Sequence, residues 1–600
     1  MGFQYLLFHG TYTVPVATVL TVFYYPFFTA RDIGKIVLIN ILAVTCTIPW
    51  DSYLIRHHIW SYPADATLNC TLFAIPAEEV AFFVLQTYIT ALLYCICSKP
   101  LVQPMYLRSD SPRWTRDLGG GLISAMFVVG LACFVTGGRS TYLGLILIWA
   151  LPVVLLQWML VAPFIISVPW TATALPIALP TVYLWIADRN AMAAGVWSIE
   201  AATQLNCHLL GLEIDILTSN REMLFFLLIN VMIVFGLVGF DYACAMAEYN
   251  NICTGGGPRP SPQDAFKDTL RTVTHPPRIE ERVVTDLQQA VARLHAKSQS
   301  MFLGSALFQG PLRVDLIYLY SFCRVIDDLI DEAHDANEAR YWIEECRRCL
   351  DARTSEKAGP HAVDASERSN SSSSCSDSSR KKVLLHGAVD ALPLARLRVR
   401  PLYDLLTGFE MDLAFTTSPA DKPPVFPITT EHELDHYATC VASTVAELVL
   451  DLVHHYHHDP QTYDRTAMAH AGREMGKALQ CVNIARDIHR DATIGRVYIP
   501  TEWLVEAGLT PRDILEVPSS PAAYAMQAKL LAKAEGLYAG VRAAIEDLPG
   551  AVRGPVRTTV ESYMEIARYL REKRGESLEG PQKLRLSLGR RVRVAWRAML

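Results

Sequence analysis

MLFFLLINVMIVFGLVGFDYACAM, residues 223–246, holds one charge, Asp241, in 24 residues. A helix crossing the hydrocarbon core of a bilayer needs about 20 apolar residues, and water offers a run this poor in charge no reason to form. Toward the N-terminus six further apolar runs stand at about 5–28, 36–50, 77–97, 119–136, 142–165 and 170–187, predicting a seven-span helical domain over residues 1–248. Toward the C-terminus the implied solvent changes. The chain carries 54 Lys and Arg and 60 Asp and Glu; 24 of these fall in residues 1–248 and 90 in 249–600, the latter an ordinary globular density. Residues 249–282, with Gly255-Gly256-Gly257-Pro258, read as a linker. Residues 283–600 then form a second, water-soluble domain. A net charge of −6 supplies no basic field, which excludes nucleic acid as a partner.

Arg31, Lys35, Lys99, Arg108, Arg113, Arg116 and the charged C-terminal half fall on one side of the seven spans, against Arg56, Arg139, Arg189 and Arg221 on the other. The positive-inside rule therefore predicts a multi-pass membrane protein with a cytosolic C-terminal domain. An endoplasmic reticulum membrane suits that topology, and nothing in the sequence singles out an organelle. No basic segment precedes the first apolar run, so that run is expected to persist as a spanning helix. The fourteen cysteines are scattered, and Cys346 with Cys349 lacks a second half at zinc spacing, which favours free thiols.

An offset of 137 residues lays Asp51 on Asp188, Trp60-Ser61 on Trp197-Ser198 and Leu68-Asn69-Cys70 on Leu205-Asn206-Cys207; six more residues bring Glu79 onto Glu222 and Phe82-Phe83 onto Phe225-Phe226. The membrane domain is thus read as two three-span repeats joined by one linking span, which leaves both repeats in the same orientation around one pocket. Each repeat brings acidic groups to a membrane edge: Asp51, Glu78 and Glu79 in the first, Asp188, Glu213, Asp215 and Glu222 in the second. Carboxyls at such depth are costly and mark function. A half-buried carboxyl beside another favours its protonated form, so it can donate a proton at neutral pH. An acid in an apolar pocket suits protonation of a hydrocarbon double bond, with Trp50, Trp60, Trp185 and Trp197 available to face a carbocation.

Pro49-Trp50-Asp51, Pro76-Ala77-Glu78-Glu79 and the tandem three-span plan resemble the membrane lycopene cyclases of the heterodimeric bacterial and fused fungal type. The resemblance implies closure of lycopene ends to β-ionone rings, giving γ- and β-carotene, with Glu78, Glu79, Asp51, Glu222 and Asp188 as the catalytic carboxyls. The second repeat has Thr218-Ser219-Asn220-Arg221-Glu222 where the first has its proline and paired glutamates. No flavin or nicotinamide binding motif is present. A rival seven-helix retinal protein lacks a lysine anchor in its last span, while a non-catalytic seven-helix anchor or receptor-like domain predicts that replacing Glu78 and Glu79 changes no product.

In the soluble half Val284, Leu287, Val291 and Leu294 recur at helical spacing and strand signals are few, so the fold is expected to be all-α. A serine-rich insertion at about 353–382 is read as disordered surface. Two acidic constellations stand out: Phe322-Cys-Arg-Val-Ile-Asp-Asp-Leu-Ile-Asp-Glu332, with Asp327, Asp328 and Asp331, and Asn483-Ile-Ala-Arg-Asp-Ile-His-Arg-Asp491, with Asp487 and Asp491. Aspartates four apart share a helix face and repel. Two such faces suit hard divalent cations, which take oxygen ligands and substrate phosphates. They describe a diphosphate clamp in which metal and arginine stabilise a departing pyrophosphate. Gly495-Arg-Val-Tyr-Ile-Pro500 follows closely, placing Arg496 and Tyr498 near the same leaving group.

These motifs resemble the squalene/phytoene synthase family over about residues 283–600. The resemblance implies an all-helical isoprenoid synthase fold, Mg2+ or Mn2+ at Asp327, Asp328, Asp331, Asp487 and Asp491, and substrate contacts at Arg324, Tyr437, Gln480, Asn483, Arg486, Arg496, Tyr498, Lys297 and Ser300. It also implies condensation of two geranylgeranyl diphosphates to phytoene through prephytoene diphosphate. Together the two resemblances imply a fused cyclase and synthase of carotenoid formation, working in membrane lipid beside a separate phytoene desaturase. The rival is a membrane-anchored, squalene synthase-like enzyme, which would need a nicotinamide.

Overall fold

The structure, a computed structural model, describes residues 2–63, 66–108, 113–199, 219–254, 271, 278–355, 377–415, 425–457, 464–573 and 586–600. The chain divides into two compact units, Met1–Asn250 with Pro262–Val284 and Asn251–Ser261 with Thr285–Leu600.

The first unit is a helical bundle of α1 (Gln4–Phe27), α2 (Ala30–Arg56), α3 (Ala77–Ser98), α4 (Arg113–Thr136), α5 (Thr141–Ser167), α6 (Trp170–Ala193) and α7 (Ser219–Cys253). Their length and apolar composition are enough to cross a membrane. Val19, Val135, Leu160 and Trp170 stand exposed on their outer faces, a surface that lipid tolerates and water penalises. Prolines at 49, 152, 163, 176 and 180 sit inside these helices, where neighbouring spans compensate the lost backbone bonds. Antiparallel α4 and α5 approach closely because both supply glycine. A Cβ on Gly130 would lie 2.6 Å from the Leu147 Cβ, and one on Gly144 2.7 Å from the Phe134 nitrogen, the small-residue contact that lets backbones meet without a hydrophobic drive.

Two short ladders complete this unit. β2 (Thr71–Leu72) and β3 (Ile75–Pro76) form a hairpin, and β1 (Trp60–Ser61) pairs antiparallel with β4 (Ser198–Ile199), Ser61 opposite Ser198. The residues paired in that second ladder come from matching places in the two repeats.

At the far end of the bundle the Lys35 ammonium donates to Asp241 at 3.2 Å, Lys99 to Asp32 at 3.2 Å and the Tyr94 hydroxyl to Asp241 at 2.8 Å, while Arg31 pairs with Glu248 at 2.7 Å. Each buried charge is thus answered by an opposite one, as an apolar interior requires. The cluster ties α2, α3 and α7 together. Along α7 it lies about 24 Å from Phe225, counting 1.5 Å per residue to Asp241.

The second unit is all-helical. Its principal helices are α8 (Glu281–Lys297), α9 (Gly310–Asp331), α10 (Ala336–Ser355), α11 (Asp377–Asp390), α12 (Arg400–Asp412), α13 (Glu431–Tyr456), α14 (Arg465–Thr493), α15 (Pro521–Val541) and α16 (Gly550–Glu572). Phe322, Ile326, Leu406, Leu448, Val482 and Leu530 meet in one core. α13 is also apolar enough to cross a membrane, but its Glu447 accepts from Arg473, its Asp435 pairs with Lys533 at 2.9 Å, and its Leu448 and Leu452 lie in the core of the second unit. The expected insertion at 353–382 overlaps α10 and α11 at its two ends; 356–376 lie outside the described residues.

Candidate active sites

The first site begins with a turn. Phe73 and Ala74, at φ of 52° and 74°, make the two-residue loop of the β2–β3 hairpin, whose tightness demands positive φ. The Ser52 hydroxyl donates to the Phe73 carbonyl at 2.6 Å and holds it. The hairpin ends at Pro76, the N-cap of α3, so Glu78 and Glu79 occupy the first helical turn. Their side chains then part. Glu78 Oε1 accepts from the Leu68 backbone at 2.7 Å, and its carbonyl accepts from His9 Nε2 at 2.9 Å, so Glu78 pins the loop and α1. Glu79 Oε2 accepts from the Tyr5 hydroxyl and from the Tyr62 hydroxyl at 2.9 Å.

Glu79 lines a cavity, and so does Asp188 from the second repeat. The Trp197 indole donates to Asp188 Oδ1 at 3.0 Å. The remaining wall is aromatic and nearly hydrocarbon: Phe8, Trp60, Phe82, Phe225 and Phe226 with Leu184. Phe82 and Phe226, from opposite repeats, stand 6.3 Å apart edge to face. Asp51 is fully buried, within electrostatic reach of Glu79, and neither of its oxygens has a hydrogen-bond partner among the described residues. Trp50 stacks on Trp149 at 4.7 Å and meets Trp60 edge-on at 6.1 Å, behind the cavity wall. Trp185 packs against the bundle core. Glu213 and Asp215, and the side chain of Glu222, lie outside the described residues.

The second site lies between the ends of α9 and α14. Apolar Val325, Ile326, Leu329 and Ile330 face the core of α9, which leaves Asp327, Asp328 and Asp331 on the opposite side. Arg324 donates to Asp327 at 2.5 Å and to Asp328, and Lys297 to Asp328 at 3.0 Å. On α14 Arg486 grips Asp487 through Nε at 2.8 Å and through Nη2 at 2.5 Å. Arg496, just past α14, reaches Asp331 at 3.5 Å, and Arg490 acts electrostatically on both Asp327 and Asp491. These contacts bring Arg490 of α14 and Arg496 after it to the acidic end of α9.

Burial, then the charge of Asp331, pushes Asp327 up to about 6; burial and Asp487 push Asp491 up to about 8. Carboxylates held where their own charge is disfavoured attract cations, and the hard oxygens of five aspartates suit a divalent one. Deeper in, Asp412 at the end of α12 accepts from Tyr498 at 2.8 Å and from Tyr437 at 3.4 Å. Those two rings stack at 5.0 Å, and burial pushes Asp412 up to about 6. Asn483 donates to Gln480 at 3.2 Å, and its own oxygen is buried without a partner among the described residues. The Ser300 side chain lies outside the described residues.

Sequence reasoning missed Tyr5, Tyr62, Asp412 and Tyr563, the last half-buried within electrostatic reach of Arg486 and Asp487. Asp412 alone had a signal: an acid on a helix whose other inward positions, Leu402, Leu405, Leu406 and Phe409, are apolar.

Residues 294–597 match the squalene/phytoene synthase family. Over its whole length the chain is 44% identical, across 618 residues and 100% of both chains, to a bifunctional lycopene cyclase/phytoene synthase of Arthroderma gypseum. It is 42% identical across 606 residues to one of Aspergillus oryzae, covering 100% of this chain and 99% of that one. Among solved structures a dehydrosqualene synthase in complex with ligand aligns at 21% identity and a TM-score of 0.41, over 52% of this chain and 95% of that one.

Proposed function

The chain belongs to the squalene/phytoene synthase family over residues 294–597 and, over its full length, to the bifunctional lycopene cyclase/phytoene synthase family, and from that premise we propose a carotenoid-forming enzyme with two separate active sites. Residues 283–600 are the phytoene synthase, residues 1–248 the lycopene β-cyclase, and 249–282 the linker.

The synthase joins two geranylgeranyl diphosphates head to head, loses pyrophosphate to give prephytoene diphosphate, and loses a second pyrophosphate to give phytoene. The ion pair of Arg496 with Asp331 carries this reading, because it ties the segment just after the second acidic motif to the end of the first. Members of the family generally use divalent metal with diphosphate substrates. Asp327, Asp328, Asp331, Asp487 and Asp491 would hold the metal here, Mg2+ or Mn2+, which when bound neutralises the diphosphate and the charge of the leaving group. Arg324, Arg486, Arg496 and Lys297 add fixed positive charge around the same phosphates. Tyr498 and Tyr437, anchored on Asp412, would meet the substrate beyond these phosphates, and Gln480, Asn483 and Ser300 are read as further substrate contacts. A dry helical interior keeps water from the carbocations that follow each departure.

The cyclase adds a proton to the terminal double bond of lycopene, closes a six-membered ring through the resulting cation, and loses a proton to form the β-ionone double bond. Electrons are neither gained nor lost overall. Glu79 carries this reading, since it meets the aromatic cavity directly. Asp51 is buried within electrostatic reach of Glu79, and Glu79 presents the proton to the substrate. Glu78 holds the loop that places Glu79, and Glu222 supplies the matching acid of the second repeat. The aromatic faces steady the cation.

Both polyenes are too apolar to travel through water, so the spans lie in membrane lipid, the synthase unit is cytosolic, and a phytoene desaturase works between the two steps; the endoplasmic reticulum suits this arrangement. The test is expression of the full chain in cells that make geranylgeranyl diphosphate and, separately, in cells that make lycopene. Phytoene in the first and β-ring carotenes in the second are expected; absence of either removes that half of the proposal.

A further inference from the structure

We infer that Asp188 takes the proton off the closed ring and so decides where the ring double bond falls. This rests on the reading of the first unit as a lycopene cyclase. The supporting observation is that one cavity holds two carboxyls from different repeats with different partners. Glu79 is held through a single oxygen by the hydroxyls of Tyr5 and Tyr62, leaving its other oxygen to carry a proton. Asp188 accepts the Trp197 indole N–H at 3.0 Å, a donor that cannot turn round and accept. The Trp197 and Tyr5 rings stand 5.0 Å apart, so the two carboxyl settings adjoin across the cavity wall.

The chemistry needs both roles. The Glu79 O–H bond breaks as the proton adds to C2, leaving a cation at C1. The electron pair of the C5–C6 double bond closes the C1–C6 bond and moves the positive charge to C5. Loss of the proton from C6 to Asp188 returns its electron pair as the C5–C6 double bond of a β-ring. The same C5 cation gives a different ring if the proton leaves C4, and an exocyclic methylene if it leaves the C5 methyl group. A base fixed beside C6 selects the first outcome. Glu79 begins protonated and Asp188 ends so, and exchange with solvent restores both before the next ring.

The test supplies lycopene in D2O to membranes carrying the full-length chain. With Asp188→Asn, β-rings should fall about 100-fold, the usual scale for one proton-transfer group. Proton addition continues in this variant, so rings with displaced double bonds, or deuterium in recovered lycopene, should take their place. Asp188→Glu should restore β-rings in part, and Glu79→Gln should give neither rings nor deuterium uptake. If Asp188→Asn fails to reach the membrane, Trp197→Phe carries the test and should give a mixture of ring isomers. Wild-type β-ring output from the variant that is read, or a block with neither displaced double bonds nor deuterium, overturns the assignment. A wild-type chain that forms no ring from lycopene would instead sink the cyclase reading itself.

Discussion

Arg496 ends 3.5 Å from Asp331, although 165 positions separate the two in the chain. This direct ion pair links the acidic end of α9 to the segment following α14, and the prediction for both motifs follows from it. Asp487→Asn and Asp331→Asn should each lower phytoene formation from geranylgeranyl diphosphate about 100-fold or more, while the same chains still cyclise supplied lycopene. Chromatography of both products from one membrane preparation checks this.

Removal of divalent metal by a chelator should stop phytoene formation and leave ring closure intact. Oxygen-ligand sites on helices exchange such ions readily, so added Mg2+ or Mn2+ should restore the activity. A cyclase equally sensitive to chelation would contradict the separation of the two chemistries.

Asp412 takes two tyrosine hydroxyls, from Tyr498 and Tyr437. Asp412→Asn weakens both bonds by removing the charge that strengthens them, about 1–2 kcal/mol in all. Phytoene formation should slow about 10-fold, with Tyr498→Phe less severe. Initial rates at saturating substrate measure it.

Glu79→Gln should abolish ring closure and spare phytoene. Tyr62→Phe removes one of the two donors to the Glu79 carboxyl, a loss of about 1 kcal/mol for a hydrogen bond to a neutral acid, and should slow cyclisation about 5-fold. Pigment ratios in lycopene-producing cells report both.

Gly144→Val places a side chain where the α5 backbone meets Phe134 of α4. Overpacking of this kind costs about 1–3 kcal/mol. The expected result is a lower thermal unfolding midpoint of the detergent-solubilised chain.

Much of this architecture is legible in sequence for a physical reason. A bilayer forces any spanning segment to satisfy every backbone group internally, so seven helices of the first unit that are long and apolar enough to cross one stand out by composition. Aspartates on helices whose other faces are Val325, Ile326 and Leu329, or Ile484 and Ile488, stand out equally because the apolar neighbours fix which way they point. The division of labour between Glu78 and Glu79 was not legible, because it is set by a hairpin loop and not by residue type. Nor was Tyr5, which meets Glu79 from 74 positions away on a helix whose pattern asks only for apolar residues. Asp412 and Tyr437 likewise meet only through tertiary packing.

The ladder that sets Ser61 opposite Ser198 places matching residues of two copies face to face, and this happens only on a rotation axis of order two. The two repeats of the first unit are thus related as the subunits of a symmetric homodimer would be, their strand pairing lying on the dyad. An exact dimer of that kind would present the same group from both halves of its pocket. One covalent chain carries no such requirement, and Asp51, buried with no hydrogen-bond partner among the described residues, differs in setting from its counterpart Asp188, which takes the Trp197 indole.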